Sequence, residues 1–216
     1  MCFLKFRPIS SDWISIKQVY GEQQYKCLCG LSDVKVIVDL GAYAGYASYY
    51  LKTHYPQAEL FAIEPQPDVC KLLIQNLASF SGIHVIKAAI WDKNVDNLFL
   101  KQMHVKGESS LHQTGTRVVD TVTESVSFVK GITMLSLIEA YNIARIDILK
   151  IDVEDVETRL FKDPVCNLWL HKVKNIGIEI HSDTSREAVL CALKNFSYVS
   201  QRVGEVDVFK NISPRA

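Results

Sequence analysis

The chain has 216 residues, 48% of them hydrophobic and 22% charged, with 24 basic residues balanced by 24 acidic ones. This composition suits a domain with a sizeable core and excludes a low-complexity or disordered chain. Zero net charge with scattered basic residues lacks the electrostatic footprint of a protein whose main partner is nucleic acid, so no nucleic acid is expected. No apolar run approaches the length of a bilayer span, and the opening MCFLKFRPISSDW lacks the apolar stretch of a signal peptide, which leads to the expectation of a cytoplasmic protein. Of the six cysteines only Cys27 and Cys29 lie close together, without metal-ligand spacing around them, and reduced structural thiols are expected.

Residues 1–33 read as a helical N-terminal extension, and residues 34–216 as the body of a single domain. From Val34 onward strand-like runs alternate with helix-like ones, the pattern of a parallel sheet covered by helices on both faces. VKVIVDL is the first buried strand, Ala42 to His54 a helix, and Ala58 to Ile63 the second strand. Pro67 at a first helical position, with Val69, Leu72, Leu73, Leu77 and Phe80 at helical spacing, predicts a crossover helix. Ile83 to Ile90 predicts a third strand. The alternation then breaks for about 40 residues, longer than an ordinary connection, and short pieces at Leu98 to Leu100 and Val126 to Val129 predict a β-hairpin or flap at about 95–130 around GESSLHQTGT. Thr133 predicts an N-cap for a helix carrying Met134, Leu137, Ile138 and Tyr141 on one face. Ile146 to Val153 and Val173 to Ile180 predict the fourth and fifth strands, Ser185 to Asn195 a helix, and SYVSQRV with EVDVFK a closing antiparallel pair.

In an open parallel sheet the ligand crevice lies beyond the C-terminal ends of the strands. Each predicted parallel strand ends on or near an acid: Asp39, Glu64, Asp92, Asp152 with Glu154, and Glu179. A pyrophosphate site would want a G-x-G-x-x-G turn, but Gly41-Ala42-Tyr43-Ala44-Gly45 has a tyrosine where the second glycine belongs, which counts against a nicotinamide-dependent oxidoreductase. No phosphate-binding G-x-x-x-x-G-K-[ST] occurs either. An acid two residues before the first glycine suits a ligand carrying an ammonium and a sulfonium, the charges of S-adenosylmethionine.

VDLGAYAGYAS resembles the first motif of class I methyltransferases in the D-x-G-A-N-x-G form of the FkbM family. AIEPQPDVCKLLIQNL is similar to the E-P-x-P segment of that family, and DILKIDVED to its L-K-I-D-V-E-G signature. The resemblance implies a Rossmann-like class I methyltransferase fold, with a mostly parallel seven-stranded sheet, an antiparallel last strand and helices on both faces. It implies an S-adenosylmethionine-dependent methyltransferase, commonly acting on a hydroxyl of a sugar or other natural product, with a small-molecule or saccharide acceptor as partner. Asp39, Gly41, Ala42, Tyr43, Gly45, Glu64, Pro65 and Asp92 are the expected cofactor residues, with Glu64 on the ribose hydroxyls and Asp92 on the adenine amine. Asp152, Glu179 and His181 are the expected catalytic residues. Lys150, Glu154, Ser109 and Ser110 are expected at the substrate, and the flap around Ser109, Ser110 and His112 is expected to close over it. Lys150 and Asp152, two apart on one strand face, are expected to pair with each other or with a ligand. Asp152, Glu179 and His181 together offer carboxylate and imidazole ligands that suit several divalent ions, but they show no clustered ligand spacing, so no metal is expected. Two residues depart from the family pattern, Tyr43 for asparagine and Asp155 for glycine, and they leave open a cofactor-binding module without turnover.

Overall fold

The structure is a computed structural model and describes residues 4–8, 10–102, 116–120, 128–154, 156–162 and 165–215. A short helix α1 (Asp12–Ile16) runs into a π-helical turn at Lys17–Gly21, and a 3-10 turn follows at Lys26–Leu28. The chain then enters β1 (Val36–Leu40), α2 (Tyr46–His54), β2 (Glu59–Ile63), α3 (Pro67–Leu77), β3 (Ile83–Ile86) and β4 (Ala89–Ile90). Next come β5 (Val95–Gln102), β6 (Thr116–Val119), β7 (Phe128–Ile132), α4 (Met134–Ala140) and β8 (Ile148–Ile151). The last elements are α5 (Glu157–Lys162), α6 (Cys166–Leu170), β9 (Ile176–Glu179), α7 (Asp183–Leu193), β10 (Phe196–Val203) and β11 (Val206–Pro214). Among the described residues no helix is long and apolar enough to cross a membrane, and no two of the five described cysteines are joined in a disulfide.

Seven strands form the main sheet in the order β10-β11-β9-β8-β1-β2-β3. The five from β9 to β3 are parallel, whereas β11 runs antiparallel to β9 and β10 antiparallel to β11. This is the α/β class I arrangement expected from the motifs. β1 leads to β2 on one side while β8 lies on the other, so the order reverses between β1 and β8, and the crevice of such a sheet opens at that switch point.

Successive side chains of a strand face opposite ways. Val38 and Leu40 of β1 and Leu149 and Ile151 of β8 face the core that also holds Leu160, Trp169 and Val189 of α5, α6 and α7. Ile37 and Ile148 face the other core, built with Tyr46, Leu51, Val69 and Leu73 of α2 and α3 and with Tyr25 and Leu28 of the N-terminal segment. Helix starts follow their sequence signals. Pro67 opens α3 at a position where a missing N–H costs nothing, and Thr133 caps α4 by accepting from Ser136 N at 3.0 Å, with Ser136 Oγ returning to the cap.

The third predicted strand, Ile83 to Ile90, is two strands. β3 completes the main sheet, and beyond Lys87 and Ala88 the chain leaves it, so that β4 pairs with β7 in a second sheet of order β4-β7-β5-β6. A single apolar run gives no signal for a change of partner. The predicted flap is the rest of this second sheet, whose Leu98, Leu100 and Val129 are buried against Trp91, Met134 and Leu137. Ser109, Ser110 and His112 lie outside the described residues, as does Asp155.

Candidate functional site

The site is built at the switch point. Asp39 and Lys150 are direct partners across the parallel pair β1 and β8, on the face toward α2 and α3. Asp39 is fully buried; its Oδ2 accepts from Ser48 Oγ at 2.6 Å, and its Oδ1 lies 3.1 Å from Lys150 Nζ. Lys150 Nζ also donates to Gly41 O at 2.6 Å and stands 3.6 Å from Asp152 Oδ2. Burial would lower the ammonium pKa, but Asp39 and Asp152 outweigh it and raise it, so the lysine stays charged. Lys150, expected at the substrate, is thus turned inward with only 3% of its surface exposed, and it ties the first strand to the loop that follows. Pairing by spacing along one strand missed its main partner, which sits on the neighbouring strand.

That loop folds tightly. Gly41 N and Ala42 N both donate to Ile63 O, at 3.0 and 2.9 Å, so the turn stays bonded to the end of β2. Gly41 has φ 75°, and a Cβ there would stand 1.8 Å from Asp152 O, which makes it the point where the β1 loop and the β8 end touch. Gly45, with φ 85°, caps α2 against Leu73, whose Cδ1 would lie 2.7 Å from an added Cβ. Both glycines therefore answer to contacts within the protein.

Glu64, at the end of β2, is buried and accepts from Tyr43 N at 2.9 Å through Oε2 and from Gln66 N at 2.8 Å through Oε1, with half-buried Pro65 between. Burial pushes its pKa up to about 7 despite those two N–H donors. Each oxygen keeps a further lone pair for a hydroxyl. Asp92 follows β4; its Oδ2 lies 3.4 Å from Arg159, while its Oδ1 is buried without a hydrogen-bond partner among the described residues. An orphaned buried acceptor calls for a donor, which an adenine amine provides. A diol acceptor at Glu64 and a spare acceptor at Asp92 fit S-adenosylmethionine.

Tyr43 was expected to line the cofactor site, yet its hydroxyl points to the N-terminal segment. It donates to Asp12 Oδ1 at 2.6 Å, receives Arg7 at 2.6 Å and lies 2.8 Å from Ser11 Oγ. Arg7 clamps the fully buried Asp12 through its side chain and its own backbone N–H, at 2.6 to 3.1 Å. Burial would raise the Asp12 pKa, but these bonds hold it at about 2. A parallel tie joins Lys5 and Ala44 to Asn76 of α3. The N-terminal segment is thus strapped across the glycine loop, a contact for which Tyr43 was the only sequence signal.

Beyond Lys150 the catalytic expectations converge. His181 Nε2 lies 3.8 Å from Asp152 Oδ1, 3.6 Å from Glu179 Oε1 and 3.9 Å from Glu154 Oε2. Its Nδ1 lies 2.9 Å from Oε1 of Glu157, a fully buried residue of α5 that sequence reasoning missed because it sits inside a helix rather than at a strand end. Burial lowers the His181 pKa, but Glu157 and the other carboxylates raise it to about 9. Burial and the charge of Asp152 push Glu179 upward. Glu154 takes a left-handed backbone, φ 48°, which turns the chain from β8 toward α5.

Residues 39–207 match the family model described as methyltransferase FkbM domain. Methyltransferase sdnD of Sordaria araneosa is 25% identical over 189 residues, covering 76% of this chain and 72% of that protein. Methyltransferase 1 of Beauveria bassiana (strain ARSEF 2860) is 23% identical over 204 residues, covering 86% and 81%. Among solved structures, precorrin-6y C5,15-methyltransferase from Geobacter metallireducens GS-15 superposes with a TM-score of 0.49 at 9% identity, over 99% of this chain and 94% of that one.

Proposed function

Because the chain belongs to the FkbM methyltransferase family, with S-adenosylmethionine as its cofactor, we propose that it methylates a hydroxyl oxygen of a sugar or other small natural product. The observation that carries this reading is the gathering of Asp152, Glu179 and His181 at the crevice end of the sheet, next to the Asp39–Lys150–Gly41 junction. Glu64 would hold the ribose hydroxyls and Asp92 Oδ1 the adenine amine. Asp39 would act on the methionine end through the charge it shares with Lys150 and through the loop it anchors. When bound, the cofactor would supply an activated methyl on its sulfonium for transfer to the acceptor oxygen. Asp152, about one third exposed, orients the acceptor hydroxyl and takes its proton, while Glu179, His181 and Glu154 hold the acceptor in line.

Binding of S-adenosylhomocysteine by calorimetry, with methyl transfer measured over a panel of hydroxyl-bearing sugars and small natural products, tests this. Glu64→Ala is expected to weaken binding. Asp152→Ala is expected to keep binding and lose about 10²- to 10⁴-fold in turnover. Tight binding without product across the panel would instead identify a cofactor-binding module, and unchanged turnover in Asp152→Ala would remove that residue from the mechanism.

A further inference from the structure

The crevice end of the sheet carries more negative charge than a neutral acceptor requires. Four carboxylates, those of Asp152, Glu154, Glu157 and Glu179, surround the single imidazole of His181. Lys150 is committed to Asp39 and Gly41 and reaches Asp152 only at 3.6 Å. An ionised carboxylate can only accept, so His181 Nδ1–H donates to Glu157 and the ring presents Nε2 to the other three acids. From Nε2 the distances of 3.6, 3.8 and 3.9 Å to Glu179, Asp152 and Glu154 are too long for hydrogen bonds. One ligand atom each from Asp152, Glu179 and His181 nevertheless lies within 4.8 Å of the others. Ligand atoms around one cation at about 2.1 Å stand roughly 3 to 4 Å apart, so a small inward movement of these side chains closes the gap on an ion.

Glu157 supplies an independent observation. Its side chain is fully buried with its carboxylate turned to His181, yet its Oε2 has no hydrogen-bond partner among the described residues. A buried carboxylate in that state is costly unless positive charge stands close by. The surrounding carboxylates raise the His181 pKa to about 9, and a cation that displaces the Nε2 proton keeps positive charge beside Glu157, whose carboxylate on the far nitrogen is the partner that fixes the tautomer and orientation of a metal-bound imidazole.

We propose that Asp152, Glu179 and His181 bind one divalent cation, with Glu154 at the rim of the site. Two carboxylates and one imidazole, in a partly open position that admits water, suit Mn2+ better than a thiolate-seeking ion. Only the use of the ion rests on the methyl-transfer reading: it holds the acceptor oxygen and makes its hydroxyl more acidic. Binding itself does not depend on that reading. The three residues carry no ligand spacing in the sequence because they come from the ends of two neighbouring strands.

The test is titration of Mn2+ into the full chain, free of cofactor and acceptor, followed by loss of the electron paramagnetic resonance signal of free Mn2+. One site per chain is expected. Glu179→Gln and His181→Asn should each weaken binding at least about tenfold, and Glu157→Gln about tenfold through loss of ring orientation, with circular dichroism unchanged. If His181→Asn fails to fold, Glu179→Gln, at a partly exposed position and nearly isosteric, decides. No loss of free signal with protein in excess, or equal binding in wild type and Glu179→Gln, overturns the site. Titration with S-adenosylhomocysteine and transfer assays on the same proteins separate the two readings. A chain that binds Mn2+ through these residues but makes no product keeps the cation site and loses the transferase reading; a chain that transfers methyl groups without binding Mn2+ does the reverse.

Discussion

Tyr43 stands at a left-handed backbone position, φ 50°, which an asparagine tolerates better than a bulky ring. That explains the asparagine usual at this place in the family motif, and it sets a cost that the tyrosine hydroxyl offsets by completing the Arg7–Asp12 cluster. Tyr43→Phe removes the hydroxyl and leaves a buried carboxylate oxygen one donor short. A stability loss of about 1 to 3 kcal/mol in urea unfolding is expected, and an unchanged midpoint would show that the strap contributes nothing. Glu64 behaves differently because burial raises its pKa to about 7, above the ordinary 4.5. The stability it confers as a neutral acid is full below about 4.5 and is lost as pH rises through 7. Two ribose hydroxyls are better accepted by the ionised form, so affinity for S-adenosylhomocysteine should rise between about pH 6 and pH 8. Glu64→Gln should abolish that slope; a slope surviving in the variant assigns it to another group.

At the scale of elements, the β1 loop and the end of β8 meet through one glycine. Gly41→Ala places a methyl group 1.8 Å from the Asp152 carbonyl oxygen, which is backbone and cannot swing aside. The two loops must part, so both S-adenosylhomocysteine binding and thermal stability should fall together, by contrast with Ser48→Ala, which removes only a hydrogen bond to Asp39. Retained binding in Gly41→Ala would mean that the junction does not shape the pocket. Strand positions, helix starts at Pro67 and Thr133, and the acids at strand ends were legible because each carries a local signal: a β-branched run, a capping residue, a charge ending an apolar stretch. The break between β3 and β4 was not, since Ile83 to Ile90 stays apolar while its hydrogen-bonding partner changes. Glu157 and the Asp39–Lys150 partnership were hidden for a related reason: sequence spacing orders residues within an element, and both contacts join different elements.

At the scale of the whole molecule, the described residues form two apolar cores on either side of the main sheet, with the Asp39–Lys150 ion pair set into the face toward α2 and α3 at the point where strand order reverses. Lys150→Met leaves Asp39 as an uncompensated buried charge and is expected to cost about 3 to 5 kcal/mol. Asp39→Asn combined with Lys150→Met should recover much of that loss, and additive losses in the double variant would show that the two side chains act separately. Folding adds a further demand on this pair. Sliding β8 by one residue along β1 would turn Lys150 toward the opposite core, among Val38, Leu149 and Ile151, and would leave Asp39 facing an apolar neighbour. Hydrophobic strands alone tolerate such slippage, because isoleucine, leucine and valine satisfy either face. The charge pair makes each misaligned assembly carry two solitary buried ions, so it acts as a proofreading key for the alignment of the central strands.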